Sequence, residues 1–267
     1  ICRKIFTVIG ILPIAVLVPL IKHILFPKKP TLEAYKYIFS TALFIRAFGV
    51  TFLITITGTA LSVLVTSMLA YGLKKPNLHG YKFFMIYLLI TMFFSGGLIP
   101  TYYNITKTLH LSNNILALIL PGAVNVFNFV IMRSFFVQLP DSLEEAARID
   151  GLSEYGIWAK IMLPLSKPVI ASISLFYGVG FWNDYFSSMI YLKSAEKFPI
   201  QIQLRSIILL TSQISEVVMD YYDMNGAPPD KAVKMACTVI ATVPILCIYP
   251  FVQKYFTKGV MVGAVKG

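Results

Sequence analysis

The sequence predicts an all-α polytopic membrane protein of about six transmembrane helices. Three observations predict it. Of 267 residues, 57% are hydrophobic and only 13% charged, where soluble domains carry about 25% charged residues. Mean hydropathy is +0.74. Apolar runs of the ~20 residues needed to cross hydrocarbon recur along the chain. The formal net charge of +11 suits loops facing anionic lipid headgroups. No Lys/Arg run exceeds two residues, so the basic footprint of a nucleic-acid binder is missing.

The expected spans are Ile5–Phe26, Ala47–Leu73, Tyr81–Pro100, Ile115–Val137, Val169–Leu192 and Ala232–Phe256. The first is long enough to span, and no small-residue cleavage site follows it, so it reads as a helix and not a signal peptide. Residues 1–46 thus form a first span and the loop after it, external if the termini are cytoplasmic, and residues 47–267 the main transmembrane domain. The second, fourth and fifth spans look uninterrupted, whereas Ser95–Gly97 and Pro100 break the third. Six spans place both termini on one side. Lys and Arg divide almost evenly between the two sets of loops, so charge bias does not orient the chain. Cys2, Cys237 and Cys247 lie in apolar contexts and form neither a disulfide framework nor a metal site.

One segment breaks the apolar pattern. "DSLEEAARIDGLSEYGIWAKIMLPLSKP", residues 141–168, is polar and helix-forming between two lipid-like runs. Ser142 and Glu145 have capping-box spacing, and Gly151 is placed to end the helix in a left-handed turn. Ser153 is placed to restart a second helix, which Pro164 limits. Ala146 and Ala147 offer a small-residue face, and Arg148, Ile149 and Leu152 add contacts at the turn. The acidic start, Asp141, Glu144 and Glu145, argues against lying on anionic headgroups and for a protein partner.

"EAARIDG", followed after nine residues by "IMLP", resembles the EAA motif of binding-protein-dependent ABC importer permeases. "SGGLIPTYY", "ILPGAVNVFNFVIMRSFF", "GFWNDYF" and "PILCIYPFVQKYFTKGVMVGAVKG" are similar to the oligosaccharide/polysaccharide branch of the carbohydrate-uptake permeases, akin to the second permease of maltose-type systems. The resemblance covers about Ala47 to Gly267. It implies a type I permease fold in the bacterial cytoplasmic membrane, with both termini cytoplasmic. The implied partners are a second homologous permease, two ATPase subunits, which hold ATP and Mg, and an extracellular solute-binding lipoprotein. The implied substrate is an oligosaccharide. The segment 141–168 becomes a cytoplasmic coupling loop whose ATPase contacts are Glu144, Glu145, Ala146, Ala147, Asp150, Gly151 and Leu152. The tail, residues 254–267, becomes a second ATPase contact through Val260, Met261 and Lys266. Residues 193–230 become an external loop reaching toward the solute-binding protein.

No catalytic or cofactor-binding residues are expected on this chain. It carries no G-x-x-x-x-G-K-[ST] phosphate loop, no G-x-S-x-G elbow and no paired histidines for a metal. Polar residues inside spans are costly and tend to face a cavity. Asn125 and Asn128, three apart on the fourth span, and Trp182, Asn183 and Asp184 on the fifth are therefore the expected substrate path. Aromatic faces with nearby amides and a carboxylate suit a sugar's C–H faces and hydroxyls. The alternative is an ion- or proton-coupled secondary transporter. It needs a carboxylate relay, and Asp184 is the single acid inside an uninterrupted span.

Overall fold

The computed structural model describes residues 32–40, 42–213 and 230–264. Its described residues form helices joined by turns and short loops, with no strand among them. The expected first span, Ile5–Phe26, lies outside the described residues.

The chain enters through α1, Glu33–Ser40, and the central helix α2, Ala42–Gly72. In the region read as an external loop up to Arg46, residues 33–40 and 42–46 are thus helical, and the second span begins by Ala42. At 31 residues, α2 is about 46 Å long and outreaches a ~30 Å hydrocarbon core. Its buried stripe is Ala47, Thr51, Ile54, Gly58, Ser62, Thr66 and Ala70, spaced three and four apart. Its large side chains, such as Leu53, Ile56 and Leu64, are exposed. In a lipid solvent, close packing and hydrogen bonding hold helices together, so small and hydroxylated residues line the contact. Thr66 and Tyr177 share a 2.7 Å hydrogen bond across it. The Thr51 hydroxyl donates to the Ala47 carbonyl and accepts from the backbone of Ile200 at 2.8 Å.

The third, fourth and fifth spans are broken. Helix α3, Tyr81–Phe93, meets α4, Leu98–Thr108, at 112° across the Ser95–Gly97 break. Helix α5, Leu116–Gly122, meets α6, Val126–Gln138, at 49°. The fourth span, expected to be continuous, therefore breaks at Ala123–Asn125. The coupling loop follows as α7, Asp141–Ile149, and α8, Glu154–Leu165, which turns by 86° into α9, Lys167–Trp182. The fifth span, also expected to be unbroken, ends at Trp182 and resumes as α10, Phe186–Tyr191. Asn125 and Asp184 sit at these two breaks, where each side chain accepts from a backbone N–H three residues on. Each short polar side chain satisfies a helix start that lipid could not.

The expected external loop opens as helix α11, Ile200–Gln213. Ile200 and Leu204 are buried against Val233, Cys237 and Ile240 of α12, Asp230–Ala264. A three-to-four-residue apolar spacing at 200 and 204 carries this helix, and it packs where a loop was expected. Asn113 anchors its approach by accepting from the backbones of Lys193 and Ser194. The acidic stretch 214–229 lies outside the described residues. Helix α12 passes Pro244 and Pro250 without ending. It runs through Val260 and Met261, so the expected separate tail starts as a continuation of the last helix. The side chains of those two residues, and all of Lys266, lie outside the described residues.

Three apolar clusters follow α2 along its length: one at Phe44, one at Ile54 and one at Ala70. The last also contains Ala147, Ile157 and Met162, and so seats the coupling loop on the transmembrane helices.

Candidate coupling site and transport path

Helix α7 is two-sided. It starts after Pro140 and carries no side-chain cap. Ser142 falls inside the first turn, two residues past the N-cap position at Pro140, so the expected Ser142–Glu145 capping box does not form. Its end follows the expected chemistry. Gly151 has φ 81°, its N–H donates to the Arg148 carbonyl, and the Leu152 N–H donates to the Ala147 carbonyl, both at 3.0 Å. This paired closure needs a left-handed residue, which glycine supplies without a Cβ clash. Ser153 then caps α8 by accepting from the Gly156 N–H.

Glu144 and Ala147, three apart, form the inner face. Glu144 is 1% exposed and the Lys74 side chain 4%. Lys74 Nζ donates to Glu144 Oε1 at 2.6 Å and to Asp141 Oδ1 at 3.1 Å. Lys75 and Arg148 both approach Glu144 Oε2 at 3.3 Å. Arg148 also donates to both oxygens of Glu154, at 2.8 and 3.2 Å, and the Tyr71 hydroxyl donates to Glu154 Oε2 at 2.6 Å. These hydrogen bonds, Arg148 first, hold the Glu154 carboxyl at about 2. Lys74 likewise holds the exposed Asp141 carboxyl below the usual carboxylate range. Glu144 and Ala147 were expected to touch the ATPase. They are instead turned into the chain itself, because one is neutralised by the buried Lys74 with Lys75 and Arg148 beside it, and the other packs in the apolar cluster.

The outer face carries Leu143, Glu145, Ala146 and Ile149, with Asp150 and Gly151 at its end. Ile149 is 87% exposed, and Leu152 is half-buried at the turn.

At the span breaks, Asn125, Asn128 and Asp184 line one cavity of about 620 Å³, walled by α4, α5, α6, α9 and α10. The two asparagines do not share a helical face, since Asn125 precedes α6 and caps it. Trp182 points elsewhere. It is buried, its indole Nε1 donates to the Ala241 carbonyl at 3.0 Å, and its ring meets Phe48 and Phe52 edge-on. Asn183 is exposed, its amide oxygen 3.5 Å from Gln201. Tyr177 and Phe181 join the cavity wall without having been singled out. Tyr177 accepts from the Asn125 N–H at 2.9 Å. A Cβ on Gly58 would come within 2.9 Å of the Phe181 ring. Gly58 and Gly122, which both lie against the Phe181 ring, were the available signal of close approach.

Residues 50–262 match the family described as binding-protein-dependent transport system inner membrane component. The chain belongs to that family. This permease is 48% identical to protein LplC of Bacillus subtilis (strain 168) over 243 residues, 91% of this chain and 81% of LplC. It is 46% identical over 246 residues to the polygalacturonan/rhamnogalacturonan transport system permease protein YtcP of the same organism, covering 92% of this chain and 85% of YtcP. A chain in the crystal structure of a bacterial ABC transporter involved in the import of the acidic polysaccharide alginate matches it with a TM-score of 0.78 and 28% identity, over 95% of this chain and 97% of that one. The permease is therefore the membrane-embedded part of an ABC importer that works with a solute-binding protein. Membership in a binding-protein-dependent family removes the proton-coupled alternative.

Proposed function

We propose that this permease moves oligosaccharides into the bacterial cytoplasm. In this reading it pairs with a second permease, and two ATPase subunits hold ATP and Mg and drive it. The observation that carries the coupling is the outer face of α7: an apolar patch with Ile149 87% exposed on a polar loop between two spans. Leu143, Ala146 and Ile149 are exposed together on one face and rimmed by polar residues, and such a contiguous apolar patch marks a surface that a partner covers. Glu145, Ala146, Asp150 and Gly151 would make that contact, and α7 and both termini would then lie in the cytoplasm. The chain itself would be no enzyme.

The oligosaccharide assignment draws on the names of YtcP and of the alginate importer. Asn125, Asn128 and Asp184, with Tyr177 and Phe181, supply the amide, carboxylate and aromatic mixture that suits sugar hydroxyls and C–H faces. The segment after Lys193 would face the solute-binding protein, and the chain beyond Val260 a second ATPase surface.

The test is reconstitution of the assembled importer in proteoliposomes with labelled oligouronides and labelled neutral maltooligosaccharides. ATP-dependent uptake of either class, abolished without the solute-binding protein, is expected. Uptake of neither, with uptake of an amino acid or metal ion instead, overturns the reading.

A further inference from the structure

The coupling loop contains a charge cluster that docking does not require. Its centre is the Lys74–Glu144 pair, both side chains at most 4% exposed and 2.6 Å apart. Neither can reach a partner. Lys74 lies two residues beyond the end of α2, and Glu144 sits in the first turns of α7. The pair therefore joins the longest membrane helix to the helix that carries the outer face.

We propose that Lys74 is a positioning residue for energy coupling. It clamps the inner face of α7 to the end of α2, so that a displacement of the docking surface moves α2 as one body with it. The inference rests on the coupling reading above.

Three features support a clamp over a simple space-filling pair. First, the Lys74 ammonium spans two carboxylates of α7, 2.6 and 3.1 Å away, and so fixes rotation of the helix as well as its distance. Second, Lys75 and Arg148 close on the other oxygen of Glu144. That carboxylate thus binds the end of α2 through two residues and its own helix through a third. Third, the Arg148–Glu154–Tyr71 chain ties α8 to the last turn of α2. Both helices of the loop are thereby attached to one transmembrane element. Charged hydrogen bonds in a buried setting have steep distance dependence, so the joint resists slipping where an apolar contact would let the helix slide. A docking helix that rocked freely would absorb the ATPase stroke and leave the membrane helices where they were.

The experiment compares wild type with Lys74→Met, Glu144→Gln and Lys74→Arg in the complete importer, purified with its ATPase and solute-binding subunits. The readout is ATP hydrolysed per molecule of solute imported, alongside ATPase subunit content. Lys74→Met and Glu144→Gln are expected to keep the ATPase subunits. Hydrolysis should continue while the ratio of ATP to solute rises about tenfold or more. Lys74→Arg, which keeps charge and reach, should return the ratio to within about twofold of wild type. A wild-type ratio in Lys74→Met overturns the proposal. So does loss of the ATPase subunits from both Lys74→Met and Glu144→Gln, because the pair would then only shape the docking surface. Failure of wild type to import sugars bears on the oligosaccharide reading alone. In that event the stimulation of hydrolysis by the solute-binding protein replaces import in the ratio: a clamp predicts that Lys74→Met hydrolyses without stimulation, and intact stimulation overturns it.

Discussion

Glu154 shows how a single side chain can be tuned without being buried. Arg148 and Tyr71 hydrogen-bond its carboxylate and lower it from 4.5 to about 2. Because the folded value lies below the ordinary one, the contribution to stability is complete above pH 4.5 and is lost as pH falls toward 2. The side chain is 60% exposed, so solvent screening keeps the contribution under about 1 kcal/mol. We expect the melting temperature of Glu154→Gln to lie a few degrees or less below wild type. The gap should stay constant from pH 8 to pH 5 and close only below pH 4.5. Thermal unfolding in detergent across that range measures it, and a gap that closes between pH 8 and 6 would contradict the assignment. Residues in this network differed in how far sequence exposed them. The EAA-like motif located Glu144 and Arg148, but the partner Lys74 stands 70 residues away at the end of an apolar span. Nothing local distinguishes it from a lysine that merely reaches for headgroups.

At the scale of the element, α7 separates folding from docking by face. Its inner face, Glu144 and Ala147, holds it to the permease, and its outer face is free of intrachain contacts that Ile149 would have to keep. Ile149→Asp should therefore leave folding nearly unchanged, within about 0.5 kcal/mol as for other surface positions. ATPase subunits retained through affinity purification should fall several-fold. Equal retention with wild type would place the docking surface elsewhere. Gly151→Ala tests the same element differently. A non-glycine residue at φ 81° costs about 1–2 kcal/mol, so this variant should lower the melting temperature while keeping the outer face chemically intact. The helix and its glycine stop were legible from residue types. The face that points inward was not, because an acidic residue in a polar helix reads as exposed until a buried cation opposite it is known.

Across the whole molecule, α2 links the regions that sequence treats as separate. Its start packs with α11 and α12, its middle lies beside the cavity through Gly58 and Phe181, and its end holds the coupling loop. The last helix reaches Ala264, and the run from Val260 is apolar where a solvated end would be polar. Deleting residues 260–267 should leave the permease assembled, since the described residues between Ala34 and Ala241 already pack along α2 in three clusters. Solute-stimulated ATP hydrolysis should fall at least about threefold in the same preparation. Wild-type stimulation after the deletion would show that the tail contributes no ATPase contact.

Sequence by itself determined the class, the helical content, the location of the coupling loop and its glycine turn. Each depends on local properties: mean hydropathy, residue spacing and the φ that only glycine adopts freely. Tertiary structure decided where the fourth and fifth spans break, that residues from Ile200 form a packed helix, which side of α7 faces in, and that Trp182 belongs to an aromatic cluster while Asn125, Asn128 and Asp184 share a cavity. In lipid, large apolar side chains are as comfortable outside as inside, so hydrophobicity marks a span but not its buried face. Packing of small residues and hydrogen bonds between distant helices makes that choice, and those contacts exist only once the helices are assembled.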